Sequence, residues 1–137
     1  MSESIFTKII KREIPAHVLY EDEHCIVILD KFPATKGQSL VIPKKETDYV
    51  FDLDEEIYTH IFNIAKKIAR ASDVALETVR TCLVVEGFEV PHVHIKLYPM
   101  QSAEKPLGEI LPLGKEASDE ELAIVATQLV AAIDAQE

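Results

Sequence analysis

The sequence predicts an α+β domain in which helices pack against an antiparallel sheet. Three observations favour this class. Segments typical of strands cluster in the first part of the chain, short gaps of hairpin length separate several of them, and helical patterns do not alternate regularly with them. The chain has 137 residues, 47% of them hydrophobic, which is typical of one domain with a sizeable core. We therefore expect residues 1–137 to form a single domain.

The first elements follow from local patterns. Residues 4–14 carry apolar side chains at helical spacing, with Ser4 available as the N-cap, and Pro15 should end this short helix. Three strands are expected next, at residues 17–22, 25–30 and 39–43. The segment between the last two contains proline and glycine, so we expect a loop there.

The later elements include one long helix. Asp52 and Glu55 have the spacing of a capping box. Behind them, apolar residues recur at helical spacing: Ile57, Ile61, Ile64, Ala65 and Ile68. Residues 81–86 are predicted as a fourth strand and residues 102–114 as a loop. Ser118 and Glu121 form a second capping box before the last helix, whose apolar residues are Leu122, Val125, Leu129 and Ile133.

Residues 91–99 alternate polar and apolar side chains, which predicts the fifth strand. Successive side chains of a strand point to opposite faces. One face should carry His92, His94, Lys96 and Tyr98, and the core face Val93, Ile95 and Leu97. Two imidazoles beside an ammonium group indicate an anion site, with phosphate as the natural candidate, because lysine offers a point charge and histidine a donor or a nucleophile.

Other interpretations of these residues stay open on the residues alone. His92 and His94 could ligate a metal with Glu86, Glu89 or His24 as a third ligand, although Lys96 beside them disfavours a cation. They could also be exposed histidines on a solvated sheet face.

Three further features have a functional and a structural interpretation each. Gly37 and Gln38, with the basic segment after them, could cradle a phosphate or form a solvated turn. Asp30 could accept hydrogen bonds from ribose hydroxyls or cap a loop. An apolar group could line a base pocket or belong to the core; it consists of Phe6, Ile9 and Ile10.

Composition excludes several partners. The formal net charge is −10 and the pI about 4.9, so the surface should repel nucleic acids and anionic membranes. The N-terminus lacks the pattern of a signal peptide and no apolar run has the length of a membrane span, so we expect a cytoplasmic protein. Cys25 and Cys82 lie in apolar runs and are predicted to be buried free thiols.

The motif His92-Val-His-Ile-Lys-Leu-Tyr98 resembles the motif His-φ-His-φ-His-φ-φ of the histidine triad (HIT) superfamily of nucleotidyl hydrolases and transferases. Residues 4–15, 20–30 and 37–45 also look like that family's N-terminal helix, first strands and Gly-His-x-Leu-Val-Ile-Pro-Lys segment. The resemblance covers about residues 4–100, and residues 101–137 would add a loop and a C-terminal helix.

The resemblance implies an antiparallel sheet of about five strands with one long helix, a short N-terminal helix and a C-terminal helix, usually in a homodimer. The dimer would bury part of the helix around residues 57–68 and a strand edge near Cys82. It also implies that His94 attacks the α-phosphorus of a nucleotide ester, anhydride or phosphoramidate, that His92 orients it, and that water or another acceptor resolves the nucleotidyl-histidine. Lys96 would neutralise charge at the phosphate.

The ligand implied is a small purine nucleotide, an adenosine or guanosine phosphate derivative, with no cofactor and no metal. The residues expected to bind it are Phe6, Ile9, Ile10, Ile28, Asp30, Lys31, Gln38, Phe88 and Glu89.

The chain departs from the family pattern at several positions. Lys96 stands in place of the third histidine, and Gln38 and Glu46 replace two others. Ser4 and Thr7 occupy the positions at which zinc-binding members carry Cys-x-x-Cys, so we expect no structural zinc. Residues 86–91 lack the Gly-Gln-Ser or Gly-Gln-Thr sequence of many hydrolases. An alternative function is therefore a nucleotide sensor without catalysis, in which no nucleotidyl-His94 adduct would form.

Overall fold

The computed structural model describes residues 3–111 and 115–136. Five antiparallel strands form one sheet in the order β1-β2-β3-β5-β4. The strands are β1 (Val18–Glu21), β2 (Cys25–Leu29), β3 (Ser39–Pro43), β4 (Arg80–Val84) and β5 (Ile95–Met100). The helices are α1 (Ile5–Ile10), α2 (Glu55–Leu76), α3 (Leu107–Ile110) and α4 (Asp119–Ala135), with a 3₁₀ turn at Val50–Asp52. The predicted α+β class is confirmed.

Helices cover the two faces of the sheet unequally. Cys25, Val27 and Leu29 belong to the core beneath α2 and α4, whereas Ile26 and Ile28 belong to a smaller cluster beneath α1. Every residue of β2 and β3 is buried, because both strands are central and covered on both sides. The α1 face is the one that carries the candidate site.

The helix α1 is shorter than predicted. Ser4 caps its start, since the Ser4 hydroxyl accepts a hydrogen bond from the Thr7 N–H at 3.1 Å. The helix ends at Ile10, well before Pro15, because Arg12 takes a left-handed conformation with φ of 66°. The chain reverses there, and the Glu13 N–H donates to the Lys8 carbonyl at 2.9 Å.

The predicted capping box at Asp52 is wrong. Asp52 lies in the 3₁₀ turn, and α2 begins at Glu55 with Asp54 as its N-cap, whose side chain makes no capping hydrogen bond. Acidic Glu55 and Glu56 still favour this helix start through the helix dipole. The second predicted cap is confirmed, because the Ser118 hydroxyl accepts from the Glu121 N–H at 3.1 Å.

Two smaller predictions also need correction. The segment predicted as a loop at 102–114 contains the short helix α3, and residues 112–114 lie outside the described residues. Both cysteines are free, as expected, but Cys25 alone is buried and Cys82 is partly exposed, because β4 is an edge strand.

Within the described residues, no helix combines the length and the apolar character that a membrane span requires.

Candidate active site

The site is organised around His94, immediately before β5. Its Nδ1 lies 2.8 Å from the main-chain carbonyl oxygen of His92. A carbonyl can only accept, so Nδ1 carries the proton and, in the neutral ring, Nε2 keeps its lone pair. Burial lowers the pKa of His94, and the charge of Lys96 acts in the same direction. The neutral ring therefore presents Nε2 as a nucleophile near neutral pH.

His92 is a buried anchor. None of its surface is exposed. Its Nε2–H donates to the Pro43 carbonyl at 2.8 Å, and its Nδ1 lies 2.6 Å from the Ser4 hydroxyl, which donates to it. Burial lowers the pKa of His92 as well. Because both nitrogens are engaged, His92 positions the main chain, and its carbonyl orients His94.

The predicted alternation of side chains between the two faces also holds for residues 92–94, which precede the hydrogen-bonded strand β5. His92 and His94 both meet the ring edge of Phe6, with centroid distances of 5.7 and 4.8 Å, so both lie on the α1 side. Val93 and Ile95 belong to the core on the opposite face. The strand begins only at Ile95, however, because the Val93 N–H donates to the Thr47 carbonyl, and the rings of His92 and His94 bond to the carbonyls of Pro43 and His92, so no backbone ladder pairs form before Ile95 in the described sheet. The solvated-face interpretation is wrong for both histidines, since both are buried.

Three side chains, Ser4, Thr7 and Glu46, lie around His92 and form a hydrogen-bonded network of four residues with it. A Glu46 carboxylate oxygen accepts from the Ser4 N–H at 2.8 Å and from the Thr7 hydroxyl at 2.7 Å, and it lies 3.8 Å from Nδ1 of His92. Hydrogen bonds from Ser4 and Thr7 lower the pKa of Glu46. The network joins the start of α1, the segment after β3 and the histidine motif.

These four residues do not fit a zinc ion. Zinc sites of the structural type use thiolates and imidazoles, whereas Ser4 and Thr7 offer neutral hydroxyls. The ring of His92 has no free lone pair, because one nitrogen donates to Pro43 and the other accepts from Ser4. Hydrogen bonds, and not a zinc ion, therefore link the start of α1, the segment after β3 and the histidine motif.

Lys96 supplies the positive charge of the site. It lies on β5 opposite Leu40 of β3 and Val84 of β4, and it is half-buried. In the part of the chain that the structure describes, its ammonium group makes no hydrogen bond or ion pair. A cation held at a sheet surface beside a neutral imidazole is suited to an anionic ligand.

The side chains of Asp30 and Gln38 form a hydrogen bond with each other. The Asp30 carboxylate accepts from the Phe32 N–H at 2.8 Å and from the Gln38 amide at 2.7 Å. The amide oxygen of Gln38 accepts from the Ala34 N–H at 2.6 Å. Gln38 therefore holds the loop after β2 and fixes the carboxylate from behind, while the second lone pairs of the Asp30 oxygens stay available.

The other expected binding residues differ in their surroundings. Phe6 and Ile9 are buried in the cluster that also contains Ile28, and Ile10 lies at its margin, so the structure brings this apolar group against the histidines. Lys31 is exposed and pairs with Glu116 at 3.2 Å. Phe88 is 90% exposed, and Glu89 is exposed beside it. Among the described contacts, none joins Phe88 or Glu89 to the two histidines.

Sequence reasoning missed two features of the site. The hydrogen bonds of His92 to Ser4 and Pro43 connect residues 88 and 49 positions apart, and no local pattern signals them. Tyr98 shares the face of Lys96 and is 3% exposed. Burial and the carboxylates of Asp30, Glu86 and Glu89 raise the pKa of Tyr98 to about 12, so it stays a neutral hydroxyl. The alternation placed Tyr98 on this face but assigned it no role.

Comparison with known proteins identifies the family. The family model described as the HIT domain matches residues 11–102. The chain belongs to the HIT family. An uncharacterised HIT-like protein of Methanocaldococcus jannaschii is 36% identical over 115 residues, which is 81% of this chain and 87% of that protein. The resemblance seen in the motif is thereby confirmed.

Two further similar proteins are informative. The adenosine 5′-monophosphoramidase HNT1 of Saccharomyces cerevisiae is 34% identical over 104 residues, which is 75% of this chain and 66% of that protein. A crystal structure of a Hit-like protein from Bartonella henselae, with an unknown ligand, superposes with a TM-score of 0.84 at 27% identity, covering 95% of this chain and 96% of that one. The five-stranded sheet with its helices is thus the HIT fold.

The buried histidines predict a pH dependence of stability. The pKa values of His92 and His94 are lowered from 6.5 by burial, so below this pH the unfolded chain takes up protons that the folded chain does not. The free energy of unfolding should therefore fall as the pH drops below 6.5, by at most about 1.4 kcal/mol per histidine and pH unit. Urea unfolding at about pH 7.5 and 5.5 measures the change. His92→Gln should flatten the dependence, and an unchanged slope in this variant would contradict the assignment.

Proposed function

We propose that this HIT protein is a nucleotidyl hydrolase or transferase that acts at the α-phosphate of a purine nucleotide through a covalent nucleotidyl-His94 intermediate. One observation carries the proposal. The proton of the His94 ring is held at Nδ1 by the His92 carbonyl, so Nε2 keeps its lone pair beside the ammonium group of Lys96.

The residues support a reaction in two steps. In the first, Nε2 of His94 attacks the α-phosphorus and the bond from phosphorus to the leaving group breaks, with the electron pair departing on the leaving oxygen or nitrogen. In the second, water or another acceptor attacks phosphorus, loses its proton to solvent, and the bond from phosphorus to nitrogen breaks. The His92 carbonyl accepts a hydrogen bond from Nδ1–H and so stabilises the ring while it is positively charged. Lys96 offsets the negative charge that develops on the phosphoryl oxygens.

We assign the nucleoside to the α1 face of the sheet. The Asp30 carboxylate, held by Gln38, would accept from the ribose hydroxyls. The base would rest on the apolar group around Phe6, with Lys31 and the loop of Phe88 and Glu89 at the rim. The similarity to a yeast adenosine 5′-monophosphoramidase supports an adenosine phosphoramidate as the first substrate to test.

A quenched single turnover with adenosine 5′-phosphoramidate tests the proposal. Intact mass measurement should show a chain heavier by one adenylyl group, and peptide mapping should place that group on His94. Hydrolysis to AMP without any adduct, under conditions in which an intermediate would be trapped, would contradict the covalent route.

One observation favours the alternative of a sensor without catalysis. Lys96 stands where the family motif has a third imidazole, and the Gln38 amide is engaged at both ends by Asp30 and Ala34. Gln38 has no acidic proton, and a lysine ammonium group is a weaker acid than an imidazolium group, so protonation of the leaving group is less favourable than with a third histidine. A sensor would bind AMP in calorimetry but yield neither an adduct nor a product.

We also propose that the protein is a homodimer that pairs through the edge strand β4. In the described sheet β4 has β5 on one side and no strand on the other. Leu83 is 47% exposed on β4, and Val79 before it is 56% exposed. The helix face expected to contribute is less available, since Ile61 and Ile68 are fully buried in the chain's own core.

Leu83→Glu should convert the dimer to a monomer, because it places a charge in the apolar contact beside an unpaired strand edge. Sedimentation velocity at micromolar concentration measures the change, and Ile124→Glu, at an exposed position of α4, is the matched control. A wild-type chain that already sediments as a monomer would overturn the proposed dimer.

A further inference from the structure

A second group of chemically reactive side chains lies away from the active site, where the turn between β1 and β2 meets α2. It comprises Asp22, Cys25 and His60, whose potential ligand atoms all lie within 4.8 Å of one another. Cys25 faces the core beneath α2, on the side of the sheet opposite α1 and His94. We propose that this group, the turn cluster, is a binding site for a zinc-type divalent cation, with His24 as a fourth ligand.

Asp22 is fixed in the orientation that such a site needs. One carboxylate oxygen, Oδ1, accepts from the N–H groups of His24 and Cys25 at 2.8 and 2.9 Å. The other, Oδ2, points to Nε2 of His60 at 2.7 Å and accepts from the Tyr20 hydroxyl at 2.8 Å. These hydrogen bonds outweigh burial and keep the pKa of Asp22 well below its usual range. Ligating carboxylates are held by outer hydrogen bonds of this kind.

Cys25 provides the ligand that would select the metal. Its side chain is completely buried, and burial raises the pKa of the thiol to about 12, so without a metal it stays protonated. A bound divalent cation reverses this preference, since coordination deprotonates a thiol outright. The S–H proton leaves to solvent as the bond from sulfur to metal forms. A thiolate ligand favours zinc and similar soft ions over magnesium or calcium.

The charge and the shape of the turn cluster suit a tetrahedral site. One thiolate and one carboxylate balance the two charges of the cation, and the two histidines bind as neutral rings. The rings of His24 and His60 lie 5.5 Å apart, so a rotation of the His24 side chain would bring one of its nitrogens to the same centre. With metal–ligand bonds of about 2.0 to 2.3 Å, ligand atoms lie about 3.3 to 3.8 Å apart. The Asp22–His60 contact of 2.7 Å has to open to about 3.3 Å, as expected when a metal replaces the shared proton.

Solvent can reach the turn cluster from one side. The side chains of His60, Asp22 and His24 are 31%, 22% and 35% exposed, whereas Cys25 closes the inner end. This arrangement provides an entry path with a buried thiol at its base. His60 lies 35 positions after Cys25 in the sequence, so no local spacing pattern brings it together with Asp22 and Cys25.

Cobalt titration of the metal-free protein tests the site. Co²⁺ should bind one ion per chain and produce a near-ultraviolet band of thiolate-to-cobalt charge transfer, and Zn²⁺ should abolish this band by displacement. Cys82→Ser, which changes the other thiol, should behave as wild type. Cys25→Ser should lose the band, and His60→Gln should weaken Co²⁺ binding at least about ten-fold. His94→Ala should leave the affinity unchanged.

Several results would overturn the site. They are the absence of saturable binding at micromolar metal, a charge-transfer band that persists in Cys25→Ser, or an unchanged affinity in His60→Gln. Where Cys25→Ser fails to fold, His60→Gln decides, because the glutamine amide can still donate to Asp22 from the exposed side of α2. A metal whose affinity falls in His94→Ala would belong to the active site and would exclude the turn cluster.

Discussion

His94→Ala is expected to leave AMP affinity within a few-fold of wild type and to slow nucleotidyl transfer at least about 1,000-fold. The reason is the separation of roles within the motif. Under the proposed function Nε2 of His94 is the attacking atom, and the Nδ1–H of the same ring bonds only to the main chain. Removal of the ring deletes the nucleophile but leaves Lys96, Asp30 and the apolar group in place. Single-turnover assays with adenosine 5′-phosphoramidate, beside calorimetry with AMP, separate the two effects.

The matched control for this variant is His17→Ala. His17 is half-buried, lies before β1 and meets Asp119 at 3.5 Å, so its removal deletes an imidazole without touching the motif. Its rate should stay within a few-fold of wild type. A transfer rate of His94→Ala close to that of wild type would show that His94 is not the nucleophile. An equal loss of transfer rate in both variants would indicate a general loss of structure.

The elements that the sequence predicted well are those specified by local pattern. β2 and β3 are runs of β-branched and aliphatic residues bounded by turn residues, and both match the expected segments to within a residue. The exceptions have local physical causes. A non-glycine residue in the left-handed region, Arg12, ends α1 early. Asp52 and Glu55 have the spacing of a capping box, but Asp52 belongs to a 3₁₀ turn, and α2 begins at Glu55.

The candidate site was predictable in its residues and not in its connections. The alternation of the motif correctly separates His92 and His94 from Val93. It does not reveal that His92 is buried and tied to Ser4 and Pro43, because those contacts depend on how α1 folds back over the sheet. The same limit applies to the turn cluster, where the α2 residue His60 meets a turn from far earlier in the chain.

Gln38 illustrates the difference between a position and a role. Its place after Gly37 suggests a phosphate cradle, yet the amide is buried and spans Asp30 and Ala34. A side chain with both hydrogen-bonding ends engaged orients its neighbours instead of reaching for a ligand. We therefore interpret its contribution to nucleotide binding as indirect, through the carboxylate that it holds.

Lys96→Met is expected to weaken AMP binding about ten-fold at low salt and to slow the single-turnover rate about 100-fold. A charge-assisted contact to phosphate is worth about 1.5–3 kcal/mol, and the contribution grows when charge develops in the transition state. Methionine keeps an unbranched apolar side chain, so packing on β5 should be preserved. Calorimetry with AMP at low and high salt, together with single-turnover rates, provides the measurement.

Lys66→Met supplies the matched control for Lys96, because it makes the same change of net charge at an exposed position of α2, on the helix that covers the opposite face. Long-range attraction of an anionic ligand would weaken equally in both variants and vanish at high salt. A direct contact in the half-buried site would instead persist in part at high salt and be lost in Lys96→Met alone.

Equal AMP affinities of wild type and Lys96→Met at both salt concentrations would mean that the ammonium group points to solvent while its stem packs on the sheet. The third position of the motif would then hold no phosphate contact, and charge stabilisation at the α-phosphate would have to come from another donor.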